Sequence, residues 1–122
     1  LYMRLKNILI AVTDMERSIE FYHSLFGLDV VLAREGNVIL TEGLVLQDVS
    51  LWKDEISRNI VFQNHSAELY FEDKDMDKFI KKLNNYREPL DYVTPLTELP
   101  WGQKLVRFYD PDGTLIEVRT PA

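Results

Sequence analysis

The chain has 122 residues, no cysteine, 46% hydrophobic content and 14 basic against 20 acidic residues, for a net charge of −6. That length suits one domain or two small halves sharing a core, and the lack of cysteine excludes disulfides, thiolate metal sites and a cysteine nucleophile, which fits an expected cytoplasmic location. The acidic balance argues against nucleic acid or an anionic membrane as partner, and no apolar run approaches the roughly 18 residues of a membrane span.

In chain order, Met3 is a candidate translation start, and no signal-peptide pattern opens the sequence. Leu5 to Val12 is apolar and β-prone, with Asn7 its one polar member, and reads as the first strand. Thr13 and Glu16 form a candidate capping box for a helix whose apolar stripe is Met15, Ile19, Tyr22 and Phe26, with Leu25 alongside, and which Gly27 stops. Leu28 to Ala33, Val38 to Thr41 and Leu44 to Val49 read as strands, separated by turns at Glu35-Gly36-Asn37 and Glu42-Gly43.

Residues 51–65 are less regular and read as a linker with a short helix over Leu51 to Ser57. Ala67 to Phe71 is the next strand. Asp73 to Asn85 is a second helix with Met76, Phe79, Ile80 and Leu83 on its apolar side. Leu90 to Thr94 is a strand, Pro95 to Gly102 a loop carrying Trp101, and Lys104 to Tyr109 and Gly113 to Arg119 two further strands around the turn Asp110-Pro111-Asp112-Gly113.

The element order is therefore βαβββ twice, which predicts an α+β fold of two tandem βαβββ modules: module one about 4–50, module two about 66–120. Residue matches support a duplication. Asp14-Met15-Glu16 and Ile19 recur as Asp75-Met76-Asp77 and Ile80 at an offset of 61, and Gly43, Leu46 and Gln47 lie over Gly113, Ile116 and Glu117 at an offset of 70. These offsets map Asn7 onto Glu68 and Gln47 onto Glu117. Strand alternation then assigns faces. Ile8, Ile10 and Val12 turn toward the first helix, and Leu69 and Phe71 toward the second. Glu68, Tyr70 and Glu72, with Leu115, Glu117 and Arg119, and with Leu105, Arg107 and Tyr109, take the opposite face. If the sheets curl around their helix-free faces, Asn7, Gln47, Glu68 and Glu117 converge on one cavity with Arg107.

On these residues the chain resembles the vicinal oxygen chelate superfamily, which includes glyoxalase I, extradiol dioxygenases and bleomycin-resistance proteins. The resemblance is carried by Asp14 to Tyr22, by Phe26-Gly27-Leu28, and by Phe108 to Val118 with its Asp-Pro-Asp-Gly turn and strand glutamate. It implies half-open curled sheets within a single domain and a homodimer with the site between paired modules. It also implies a divalent metal held by the first and last strands of each module, at Asn7, Gln47, Glu68 and Glu117. Histidine is usual where Asn7 and Glu68 stand. Glu68 and Glu117 are thus the candidate metal ligands, with Glu117 the candidate catalytic group.

The alternative for the same residues is a cavity-lining network without metal. Asn7, Gln47, Glu68, Tyr70, Trp101 and Arg107 are then ligand-binding candidates, with Trp101 a stacking lid and Arg107 either an anion clamp or the ion-pair partner of Glu117. Two functions follow: binding of a small organic molecule with no cofactor, or a metal-dependent lyase, isomerase or dioxygenase of the glyoxalase type using Glu68 and Glu117. A third is an interaction module with a vestigial cavity. His23 reads as exposed on the first helix, and His65 as a loop residue outside the site. Asp73, Asp75 and Asp77 resemble the start of a calcium loop but lack its glycine and distal glutamate.

Overall fold

Each half of the chain rests on a pairing that sequence order disguises: its first strand lies parallel to its last. The computed structural model describes residues 3–122; Leu1 and Tyr2, ahead of the candidate start, lie outside the described residues. The chain divides between Val61 and Phe62 into two compact units.

The first unit contains β1 (Ile8–Val12), α1 (Met15–Phe26), β2 (Val30–Arg34), β3 (Asn37–Leu40), β4 (Leu44–Asp48) and α2 (Val49–Ile56). The second contains β5 (Glu68–Glu72), α3 (Met76–Asn85), β6 (Tyr92–Glu98), β7 (Lys104–Tyr109) and β8 (Leu115–Arg119). The sheets run β1-β4-β3-β2 and β5-β8-β7-β6, each a half-open, curled βαβββ module. In both, the parallel pair (β1 with β4, β5 with β8) is closed by a helical crossover, as parallel strands require.

Local chemistry explains the helix ends. The N-cap of α1 is Asp14, not Thr13: its extended backbone lets the carboxylate accept from the Arg17 amide at 3.1 Å. Thr13 Oγ1 instead accepts from Arg17 Nη2. The second module repeats this cap 61 residues later, where Asp75 accepts from the Lys78 amide at 3.1 Å. Asp73 in turn accepts from the Asp75 amide, so these two acids serve the helix start. At the other end of α1, Gly27 takes φ +68 and its amide donates to His23 O, while the Leu28 amide donates to Tyr22 O.

The buried face of α1 is Ser18, Phe21, Tyr22 and Leu25, rotated from the expected stripe: Met15, Ile19 and Phe26 sit at its margin. It packs on Val12, Val38, Leu40 and Leu46, the helix-facing residues of β1, β3 and β4. In the second unit Met76, Phe79 and Leu83 of α3 meet the face bearing Val106, Phe108, Ile116 and Val118; the Phe79 and Phe108 rings lie 6.3 Å apart. Fully burying each such side chain contributes about 1.5–3 kcal/mol.

Two expectations need correction. β6 runs on through Pro95, Leu96 and Thr97, which the sequence places in a loop. As an edge strand, β6 tolerates a proline that donates no ladder hydrogen bond, and its register slips on both sides of Thr94. The short helix expected over Leu51 to Ser57 is present but begins two residues earlier, ending the preceding strand at Asp48 rather than Val49. α2 starts directly at Val49, capped by Asp48 accepting from the Ser50 amide at 2.9 Å. It covers the sheet face opposite α1: Glu55 reaches Gln47, and Leu51 fills the space beside Gly36. Among the described residues, no helix is long and apolar enough to cross a membrane.

Candidate functional site

Strand register places nine side chains of the second sheet in three rows on its helix-free face. Tyr70 of β5 lies beside Glu117 of β8, which lies beside Arg107 of β7. On one side of this row stand Glu68, Leu115 and Tyr109; on the other stand Glu72, Arg119 and Leu105. Burial follows position: Glu117, on the inner strand, is 3% exposed, whereas Tyr70, on the edge strand, is 54% exposed.

A buried carboxylate is costly unless it is paired and hydrogen-bonded. Glu117 is both. Its Oε1 accepts from Arg107 Nε at 2.7 Å and its Oε2 accepts from Arg119 Nε. The network continues outward on both sides. Arg107 Nη1 donates to Thr94 Oγ1 at 3.2 Å. Arg119 Nη1 donates to Gln103 Oε1 at 3.3 Å, and the same oxygen accepts from Trp101 Nε1 at 3.0 Å. The indole of Trp101 is thus tethered at the rim of this network while the residue remains 68% exposed.

The two glutamates are driven apart in acidity. For Glu117, burial raises the pKa, but the hydrogen bonds from Arg119 and Arg107 and their charges outweigh it and hold the carboxyl below the usual glutamate value. For Glu68, desolvation, then the charge of Glu117 and a side-chain hydrogen bond with it, raise the pKa, with the charges of Arg107 and Arg119 opposing.

The first unit does not repeat this arrangement. Gln47 lies between Ala11 and Asn37 in the register, and its Nε2 donates to Asn37 Oδ1 at 3.1 Å and to Glu55 Oε2 at 3.3 Å. Glu68 stands two residues from Tyr70, the neighbour of Glu117. The residue two before Ala11, the neighbour of Gln47, is Leu9. Asn7 lies two further back, ahead of β1 and beside Gly43. The sequence offsets that align Asn7 with Glu68 and Gln47 with Glu117 therefore describe two different strand registers.

The donor set does not fit the divalent metal that the resemblance implies. Both Glu117 oxygens are held by guanidinium groups, whose charges oppose a second cation at that point. Among the described residues, no group of three or more His, Cys, Asp or Glu side chains is placed to hold a metal ion. Glu68 and Glu72, at opposite ends of the edge strand β5, are the carboxylates of this face without a described ion pair.

Of the two histidines, His23 is exposed as expected, with Nδ1 3.1 Å from the Asp29 carboxylate. His65 is not remote from the helix-free face: its Nε2 lies 2.5 Å from the Tyr109 hydroxyl. No spacing rule links residues 44 positions apart, and the loop conformation that joins them is not encoded by any glycine.

The comparisons with known proteins agree with the fold. None of the curated proteins matches the sequence. A protein of unknown function from Agrobacterium tumefaciens is similar in structure with a TM-score of 0.83 and 29% identity, covering 100% of this chain and 97% of that one. A glyoxalase/bleomycin resistance protein/dioxygenase from Nocardioides shares the fold with a TM-score of 0.72 at 18% identity, over 98% of this chain and 85% of that one. A glyoxalase/bleomycin resistance protein/dioxygenase family enzyme from Burkholderia phytofirmans shares it with a TM-score of 0.76 at 12% identity, over 94% and 96% of the two chains. Residues 5–121 match the glyoxalase-like domain family, and with its two βαβββ modules the chain belongs to that family.

Proposed function

We propose that the protein binds a small organic molecule on the helix-free face of its second sheet, without the metal used by other members of the wider superfamily. The observation that carries this reading is the state of Glu117: both carboxylate oxygens are occupied by Arg107 and Arg119. A residue so engaged organises the face rather than ligating an ion. The groups that remain for a ligand are the exposed ring of Tyr70, the tethered indole of Trp101, the Glu68 carboxyl and the Arg107 Nη2, which has no described partner. Aromatic walls with a few polar groups suit a flat organic molecule bearing a polar substituent. Gln47 is engaged with Asn37 and Glu55, and Asn7 sits beside Gly43, so neither belongs to this proposed ligand set.

A homodimer is part of the proposal. Val30, Val31 and Leu32 on the edge strand β2 are all substantially exposed, a pattern that a second copy of the chain would cover.

Elemental analysis and native mass spectrometry of the purified protein, before and after incubation with Mn²⁺, Ni²⁺ and Zn²⁺, test both points. The expected result is a dimer mass with less than one tightly held ion per chain. One ion per chain retained through gel filtration, or metal-dependent turnover of hemithioacetals or catechols, would overturn the metal-independent reading in favour of a glyoxalase-type lyase or dioxygenase.

A further inference from the structure

A second set of reactive groups lies at the Glu68 end of the second sheet. Tyr109 belongs to the row Glu68–Leu115–Tyr109, on the same face as Glu117. Its hydroxyl meets His65 Nε2 at 2.5 Å, with the two rings 5.7 Å apart. His65 reaches it through an unusual loop. Gln63 has φ +52 and His65 φ +59, a region that favours glycine. Asn64 Oδ1 accepts from both the Ser66 amide and the Ser66 hydroxyl. Gln63 packs against Gly113 so closely that a Cβ there would lie 3.0 Å from Gln63 Cβ. The loop is thus held on the β7–β8 turn, and what it presents to the sheet is one imidazole.

We propose that His65 and Tyr109 form an acid–base pair that takes the proton of an acidic enol or phenol hydroxyl on the bound molecule. This rests on the reading that the face binds a small organic ligand, and it names the chemical class. A phenol alone is a poor base near neutrality, whereas an imidazole titrates there. With His65 Nδ1 protonated, Nε2 accepts from the Tyr109 hydroxyl and leaves that oxygen's lone pairs for the ligand. The ligand O–H bond breaks, its proton passes to Tyr109 Oη, and the tyrosine's own proton passes to His65 Nε2. The products are a ligand oxyanion and an imidazolium, with net charge unchanged. The other charged groups of the face are Glu68 and Glu72 from β5, Arg107 from β7, and Glu117 and Arg119 from β8. Asp110, in the turn after β7, accepts from the Asp112 and Thr114 amides.

The test uses para-nitrophenol, whose ionised form is coloured and whose own ionisation lies near neutrality. Binding is measured by calorimetry and ionisation by absorbance at about pH 6. The full-length protein is expected to raise the ionised fraction about threefold over free probe, because hydrogen bonding to the charged form favours it. His65→Gln and Tyr109→Phe, each checked for folding by circular dichroism, are expected to bind the probe but lose the enrichment. Binding without enrichment in the unmodified protein, or enrichment retained in both variants, overturns the proton-transfer pair and leaves the ligand-binding reading standing. Absence of any binding overturns both. His65→Gln alters only a loop residue, so it decides the matter even if Tyr109→Phe folds poorly.

Discussion

Arg107 and Glu117 stand directly opposite each other in the β7–β8 register, with Nε 2.7 Å from Oε1, and Arg119 holds the other oxygen of the same carboxylate. One buried anion is therefore shared between two guanidiniums. Glu117→Gln would leave both cations facing a neutral amide. Breaking a buried pair from one side costs about 3–5 kcal/mol, but these arginines are partly solvated, so the expected loss is about 2 kcal/mol. Arg107→Leu is expected to cost less, because Arg119 still pairs with the carboxylate. Urea denaturation of the two variants checks the order; equal losses would show that Arg119 does not share the charge.

The two glutamates on this face predict opposite pH effects. The folded state holds Glu117 below the usual glutamate pKa, so its contribution is present above the unfolded value and lost as pH falls through the folded one. Glu68 is raised, so its contribution is present below the unfolded value and lost as pH rises through the folded one. Thermal melts between about pH 3 and about pH 7 should show Glu117→Gln flattening the acid limb of the Tm curve. Glu68→Gln should raise Tm relative to the parent at the neutral end. A Glu68→Gln curve parallel to the parent over the whole range would contradict the assigned coupling.

These residues also show how far the sequence can be read. Period-two alternation places Glu68, Tyr70, Arg107, Glu117 and Arg119 on one face because burial of the apolar alternates leaves no other choice. The tandem module order is legible because each helix carries its own cap and apolar stripe. Register between distant strands is not legible, because offsets count residues along the chain while pairing is set by packing across it. The alignment of Asn7 with Glu68 fails for that reason. The reach of Pro95 into β6 is hidden because proline is compatible with an edge strand only, and edge position is a property of topology. His65 escapes a reading of the sequence because two non-glycine residues at positive φ leave no compositional mark.

Two glycines separate steric cost from conformational cost. Gly43 has φ +82, and a Cβ there would lie 2.9 Å from the backbone oxygen of Lys6. Gly27 has φ +68, and a Cβ there would meet nothing within 4 Å. Gly27→Ala is expected to cost about 1 kcal/mol, the strain of the left-handed region alone. Gly43→Ala is expected to cost about 2–3 kcal/mol, since the Lys6 backbone ahead of β1 must also shift. Chemical denaturation of the pair checks the difference.

Ser18 offers a change in the favourable direction. It is fully buried on α1, and its Oγ has no hydrogen-bond partner among the described residues. An unsatisfied buried hydroxyl is destabilising, and alanine is the better helix former. Ser18→Ala is expected to stabilise the protein by about 1 kcal/mol, read as a higher urea midpoint at unchanged slope.

The parallel pairing of first with last strand sets a timetable for synthesis. β5, which carries Glu68 and Tyr70, has β8 as its only sheet neighbour among the described residues, and β8 is the last strand of its module to leave the ribosome. Until those final residues emerge, β5 has no hydrogen-bonding partner and the ligand-facing rows do not exist. The first module, by contrast, has all four of its strands once Asp48 is made. A ribosome stalled between β7 and β8 should therefore display a first sheet already paired and a nascent second half whose earliest strand is still waiting for its mate.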